Sequence, residues 1–285
     1  MGIWVPSGSN AYSWSAGSHT TTRPAAAFGA SVTPGNNTKG SWVQLMSGAA
    51  VARDVFAIRL NINSANVSAA ARDLLVDVGV DPAGGTSYSV LIPDLLASCA
   101  SPYNIGSGGV NYIFPIWIRA GSSIAVRGSV NNATVGTFRA SCRVYGSPHD
   151  RTRIKVGTYV EAIGVTGASS SGTTITSGTT SEGAWTSLGS MTRKSWWYQV
   201  GFGVNDSTMS ALAYHVDLAV GDGTNKDIVI ENALISTTTG ERLNNAQASF
   251  GSGKPAPAGT AMYARVQCSG AADSNLSVAA YALGG

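Results

Sequence analysis

The sequence predicts an all-β chain of two tandem antiparallel β-sandwich (jelly-roll-like) domains related by an internal repeat. Three observations predict it. Apolar and polar residues alternate at period two in run after run, as half-buried strands require. Clusters of Gly, Pro, Asn and Asp punctuate the runs at short intervals. The second half of the chain repeats the first.

The repeat opens with residues 32–42 (VTPGNNTKGSW) and 175–185 (ITSGTTSEGAW). Val32, Thr33, Gly35, Gly40 and Trp42 fall on Ile175, Thr176, Gly178, Gly183 and Trp185 at a spacing of 143, and Leu45 and Ser47 continue onto Leu188 and Ser190. Val76-Asp77-Val78 falls on Val216-Asp217-Leu218 at 140. Ile92, Leu96, Ser98, Arg127 and Gly146 fall on Ile230, Leu234, Ser236, Arg265 and Gly284 at 138. Order is kept while the offset drifts by five residues, and the matched tryptophans weigh most because Trp is rare. This sets a first module over residues 31–147 and a second over 148–285. Residues 1–30, rich in Ser, Gly, Thr and Ala, are either a degenerate first strand or an arm that docks on a neighbouring subunit through Trp4 and Trp14.

Within the first module, Phe56, Ile58, Leu60 and Ile62 share one face, and Leu74, Val76, Val78 and Val80 another, with Asp77 outward. The closing strand turns Phe138, Ala140, Cys142 and Val144 inward and Arg139, Ser141, Arg143 and Tyr145 outward. The second module sets Trp196, Tyr198, Val200, Phe202 and Val204 on one face, then Leu212, Tyr214, Val216, Leu218 and Val220. Turn signals stand at 81–85 (DPAGG), 107–109, 131–132, 221–223 and 251–255. Residues 64–75 (SANVSAAARDLL) are the one helix-like stretch, a short helix or a connection running into a strand.

Composition narrows the function. Charged residues make up 12% of the 285, about half of the usual quarter, so the surface relies on hydroxyls and amides. The net charge of +3 is spread without a Lys/Arg run, which argues against nucleic-acid binding. No stretch approaches the about 18 consecutive apolar residues of a membrane helix, and the N-terminus lacks a basic segment followed by an apolar one. Cys99, Cys142 and Cys268 are too few and scattered for a disulfide framework or a zinc site, and are expected as free thiols in a reducing compartment.

No catalytic constellation stands out. His19, His149 and His215 are far apart, and Asp77 and Asp217 supply one carboxylate per module, so both are expected as strand-edge or turn-binding groups. His215 and Asp217 lie two apart on one outward face, yet the repeat aligns His215 with Leu75, which favours a surface histidine. There is neither a Gly-x-Ser-x-Gly elbow nor a phosphate-binding loop. The expectation is a chain with no enzymatic activity, no cofactor and no metal.

Two features are candidate contact surfaces. Arg151, Arg153 and Lys155 alternate along one strand face, either to meet an acidic partner or to protect an edge. Trp197 lies opposite the buried row, where it stacks on a sugar, anchors an interface, or lies partly under a loop.

The lead of the repeat carries a resemblance. Thr33-Pro34-Gly35, a polar gap, and Gly40-Ser41-Trp42-Val43-Gln44-Leu45, repeated from Thr176 to Leu188, is similar to a pattern in virion structural proteins of tailed bacteriophages. The resemblance implies a capsid decoration, spike or tail-appendage protein, made in the bacterial host cytoplasm and located in the virion. Its partners would be copies of itself and other virion proteins. The alternative is a carbohydrate-binding module that recognises a host-surface glycan.

Overall fold

In the computed structural model, which describes residues 12–16, 29–66, 74–97, 110–131, 136–146, 155–168, 170, 172–204, 212–238, 241–242, 254–274 and 276–285, the alternating runs are strands. The first module contains β1 (Tyr12–Ala16), β2 (Ala30–Val32), β3 (Gly35–Asn36), β4 (Val43–Met46), β5 (Ala57–Asn66), β6 (Leu74–Asp81), β7 (Ser89–Leu96), β8 (Val110–Phe114), β9 (Ser123–Val130) and β10 (Thr137–Gly146). The second contains β11 (Tyr159–Ile163), β12 (Thr173–Ile175), β13 (Thr186–Ser190), β14 (Trp197–Val204), β15 (Ala213–Gly221), β16 (Lys226–Thr238), β17 (Glu241–Arg242), β18 (Ala261–Cys268) and β19 (Leu276–Gly284). One turn of 3-10 helix, Gly48–Ala50, is the only helical element among the described residues, none of which forms a helix long and apolar enough to cross a membrane.

The repeat recurs in the ladders. In one sheet β10 pairs with β1, β2 and β5, and β19 correspondingly pairs with β11, β12 and β14, all antiparallel. In the other, β9 lies between β4 and β6 as β18 lies between β13 and β15, and β6–β7 is matched by β15–β16. Each module therefore buries a core between two sheets.

Local chemistry explains the turns. At the end of β6 the Asp81 carbonyl accepts the Gly84 N–H at 3.0 Å, and its carboxylate accepts the N–H groups of Ala83 and Ser87, each at 2.9 Å. Gly84 sits at φ +75°, which a residue with a Cβ rarely adopts. The closing strand alternates as its sequence requires, with Phe138, Ala140, Cys142 and Val144 buried. Burial pushes the Cys142 thiol from its usual 9.0 up to about 12, and neither Cys142 nor Cys268 is in a disulfide; Cys99 lies outside the described residues.

Two expectations are corrected. Residues 64–66 finish β5 and residues 74–75 open β6, so both ends of the helix-like stretch are strand, while 67–73 lie outside the described residues. Asp77 does not face water. Its side of β6 is covered by Lys39, Trp42 and Arg127, and a carboxylate tolerates that burial because every oxygen is paired.

The two modules share apolar surface. β19 is buried on both faces: Leu276, Val278, Ala280 and Ala282 enter the second module's own core, whereas Ala279, Tyr281 and Leu283 join the core of the first. Tyr281 is the centre of this junction. Its hydroxyl accepts the Leu96 N–H at 2.6 Å and donates to the Asp94 carbonyl at 3.0 Å, while the Tyr112 hydroxyl donates to the Leu96 carbonyl at 2.5 Å. Burial holds the Tyr281 phenol well above the usual range. Gly201 makes the approach possible, since a Cβ there would stand 2.7 Å from the Tyr112 hydroxyl.

Candidate functional site

Three tracts meet at one end of the module junction. After β8 the chain continues as Ile116-Trp117-Ile118, and Ile118 exchanges both backbone hydrogen bonds with Val55 at 2.8 and 3.0 Å. Ile116 and Ile118 point into the core, so period-two alternation turns Trp117 outward, where it is 40% exposed. The first tract of the second module docks alongside. The Gly157 N–H reaches the Pro115 carbonyl at 2.8 Å, and the Trp117 N–H reaches the Gly157 carbonyl at 2.9 Å.

Lys155 and Tyr159 flank Gly157, each two residues away, or roughly 7 Å along an extended chain. The third tract, residues 193–197, packs against them. The Lys155 ammonium lies 4.2 Å from the centroid of the Trp196 ring, and the Arg193 guanidinium 4.9 Å from that of Tyr159. The Tyr159 hydroxyl donates to the Lys194 carbonyl, and the Trp196 N–H donates to the Leu283 carbonyl at 3.0 Å. An exposed indole and three exposed cations, Lys155, Arg193 and Lys194, thus stand on hydrogen-bonded backbone.

The residues singled out from sequence fare differently. Lys155 belongs to this cluster, whereas Arg151, Arg153 and Trp4 lie outside the described residues. Trp14 lies in β1, its backbone opposite Val144 of the same module. Trp197 is corrected: it is only 8% exposed and packs against Phe114 across the junction, ring centroids 5.7 Å apart. It is opposite its own module's core, as its position in β14 requires, but the first module covers that side. Trp117 was missed, although Phe114, Ile116 and Ile118 on one face leave it out of phase, which is the signal that finds it.

Charged groups also gather at one place in each module. Asp77 accepts the Asp94 N–H at 3.0 Å and the Arg127 Nε at 2.9 Å, with Lys39 bridging Asp77 and Asp94 at 2.8 and 2.6 Å. Asp217 accepts the Asn232 N–H at 2.7 Å and Arg265 at 2.9 and 2.7 Å, and Glu182 approaches Arg265 at 3.4 Å. Arg127 and Arg265 lie over the rings of Trp42 and Trp185, at 4.4 and 4.5 Å. Asp94 and Asn232 both have φ of about +51°, at irregularities in β7 and β16 that the buried carboxylates hold. Asp217 is therefore no partner for the exposed His215, and these clusters brace strands. Among the described residues, no three His, Cys, Asp or Glu side chains are grouped so as to hold a metal ion.

Comparison with known proteins gives no family. No family model matches the sequence, and no curated protein matches it. Among solved structures, PNGF-II is similar at a TM-score of 0.34 and 11% identity over 89% of this chain, which spans 64% of the length of that protein. PNGase F, a glycosylasparaginase from Flavobacterium meningosepticum, is similar at 0.34 and 7% identity, over 96% of both chains. A CBM22-1-CBM22-2 tandem from Paenibacillus barcinonensis Xyn10C is similar at 0.28 and 13% identity, over 96% of this chain and 90% of that one. Scores this low assign no activity. They do correct one expectation: with a glycosylasparaginase among the similar structures, the lack of a familiar catalytic motif is no ground for excluding an enzyme.

Proposed function

We propose that the chain recognises carbohydrate, in the manner of a host-surface glycan-binding module, and that Trp117 at the module junction is its stacking platform. The exposure of Trp117 carries this reading. Among the described side chains no other Trp, Tyr or Phe is as exposed, so this ring presents an open aromatic face on which a ligand can lie. The C–H face of a sugar ring suits a flat indole, and the backbone bonds at Ile118 and Gly157 hold the main chain that carries that indole, so no backbone ordering is needed on binding. The test is retention on a panel of immobilised polysaccharides, in which Trp117→Ala abolishes whatever retention the parent protein has.

A second reading, the virion decoration, spike or tail-appendage protein, has one observation in its favour. Among the described residues, residues 226–236 of β16 pair on one side only, and this edge exposes Ile228 at 43% and Leu234 at 51%. An apolar edge of this kind suits contacts between copies. Light scattering tests it: a closed oligomer that Leu234→Asp dissociates supports assembly, and a monomer contradicts self-assembly through this edge.

A further inference from the structure

We propose that the glycan bound at the junction is anionic, a polysaccharide carrying carboxylate or sulfate groups, and that Lys155 and Arg193 bind those groups beside Trp117. This rests on the reading of Trp117 as the sugar platform, and it follows from the state of the nearby cations. Elsewhere among the described residues two of three positive charges on ring faces are neutralised, Arg127 over Trp42 by Asp77 and Arg265 over Trp185 by Asp217, while Lys226 over Tyr263 has no ion pair. At the junction neither is. Lys155 over Trp196 and Arg193 over Tyr159 make no ion pair among the described residues, and neither does Lys194. Glu161, two residues from Tyr159, is taken by the backbone N–H of Thr192, at 3.0 Å, and by the Thr192 hydroxyl.

Stacking on the rings fixes where these charges stand. A free surface lysine loses side-chain entropy when it grips an anion, whereas an ammonium or guanidinium already resting on an indole or phenol loses less. The two stacked pairs also interlock. Lys155 and Tyr159 come from one tract, Trp196 and Arg193 from the other, so each tract supplies one cation and one ring. The backbone of Trp117 is bonded to the first of these tracts, its N–H reaching the Gly157 carbonyl. A polymer with an anionic group on successive sugars can place a ring on Trp117 and its charges on the cations. A nucleic acid shares the charge, but the chain carries a net charge of only +3, too little for a phosphate backbone at physiological salt.

The experiment measures affinity of the full chain for polygalacturonate, heparin, unsubstituted galactan and a single-stranded oligonucleotide, each at about 0.05 and 0.5 M salt. The parent protein is compared with Trp117→Ala, with Lys155→Gln/Arg193→Gln, and with Arg193→Gln/Lys194→Gln, which leaves the Trp196 stack intact if the first pair folds poorly. The expected result is polygalacturonate or heparin bound at least about tenfold more tightly than galactan, with about tenfold lost in either charge variant and at high salt. Trp117→Ala is expected to lose binding at both salt concentrations. Galactan bound equally well, lost with Trp117→Ala but untouched by the charge variants, would overturn the anionic assignment and keep the glycan reading. The oligonucleotide bound as tightly as the anionic glycans would overturn the assignment to sugar. Binding unaffected by Trp117→Ala, or no polysaccharide bound at all, would overturn both.

Discussion

Asp77 and Asp217 are two copies of one device: each buried carboxylate holds the N–H of a left-handed residue on the neighbouring strand with one oxygen and an arginine with the other. The arginine in turn lies over the tryptophan that opens the module, so four parts of the sequence, spread from Trp42 to Arg127 in one module and from Trp185 to Arg265 in the other, meet at one point. The tryptophan matches in the repeat thus have a physical cause. An arginine rests on Trp42 and on Trp185 alike.

Removing Asp217 is expected to be costly. Asp217→Ala leaves Arg265 without its main counter-ion and the Asn232 N–H without an acceptor, and about 2–3 kcal/mol of stability should be lost; Arg265 keeps some solvent and Glu182, which places the effect at the low end for a broken buried pair. Urea denaturation checks this, and Arg265→Lys, which keeps charge but loses the fork and the broad stacking surface, should lie between Asp217→Ala and the parent protein.

Leu96 and Leu234 are matched in the repeat but lie in different surroundings. Leu96 is fully buried beneath the second module, where the Tyr281 hydroxyl accepts its N–H, whereas Leu234 is 51% exposed. Leu96→Ala should cost about 3 kcal/mol, and Leu234→Ala no more than about 0.5 kcal/mol, in paired thermal or urea unfolding of the two variants.

Stability should fall in alkali from a definite point. The native Cys142 thiol keeps its proton up to about 12, but in the unfolded chain it ionises near 9.0, so its contribution is complete below pH 9 and declines as pH rises from there toward about 12. The Tyr281 phenol, also raised by burial, acts in the same direction above its usual 10.0. Between about pH 8 and about pH 10 the parent protein should lose about 1.4 kcal/mol more than Cys142→Val, measured from urea midpoints. Equal losses would mean that the native thiol ionises freely.

Sequence periodicity located the strands and their inward faces, because one-sided burial imposes period two. It failed where burial is two-sided. Trp197, Tyr281 and Leu283 lie on the face that alternation assigns to solvent, and only the neighbouring module covers them. Asp77 was misplaced for a related reason, since its cover comes from Lys39 and Arg127, which pattern cannot bring to it. Of the candidate site, Lys155 was legible as an exposed alternating cation. Its stacking on Trp196 was not, because the two are joined by chain folding across 41 positions of sequence. The resemblance to phage virion proteins remains a proposal that rests on the same lead residues, Thr33 to Leu45.

The most direct test of carbohydrate recognition is affinity electrophoresis of the parent protein and Trp117→Ala through gels containing single polysaccharides. We expect at least one polymer to retard the parent protein and to leave Trp117→Ala at the mobility it has in a polymer-free gel. Equal retardation of both proteins, or of neither across a broad panel, would contradict Trp117 as a sugar platform.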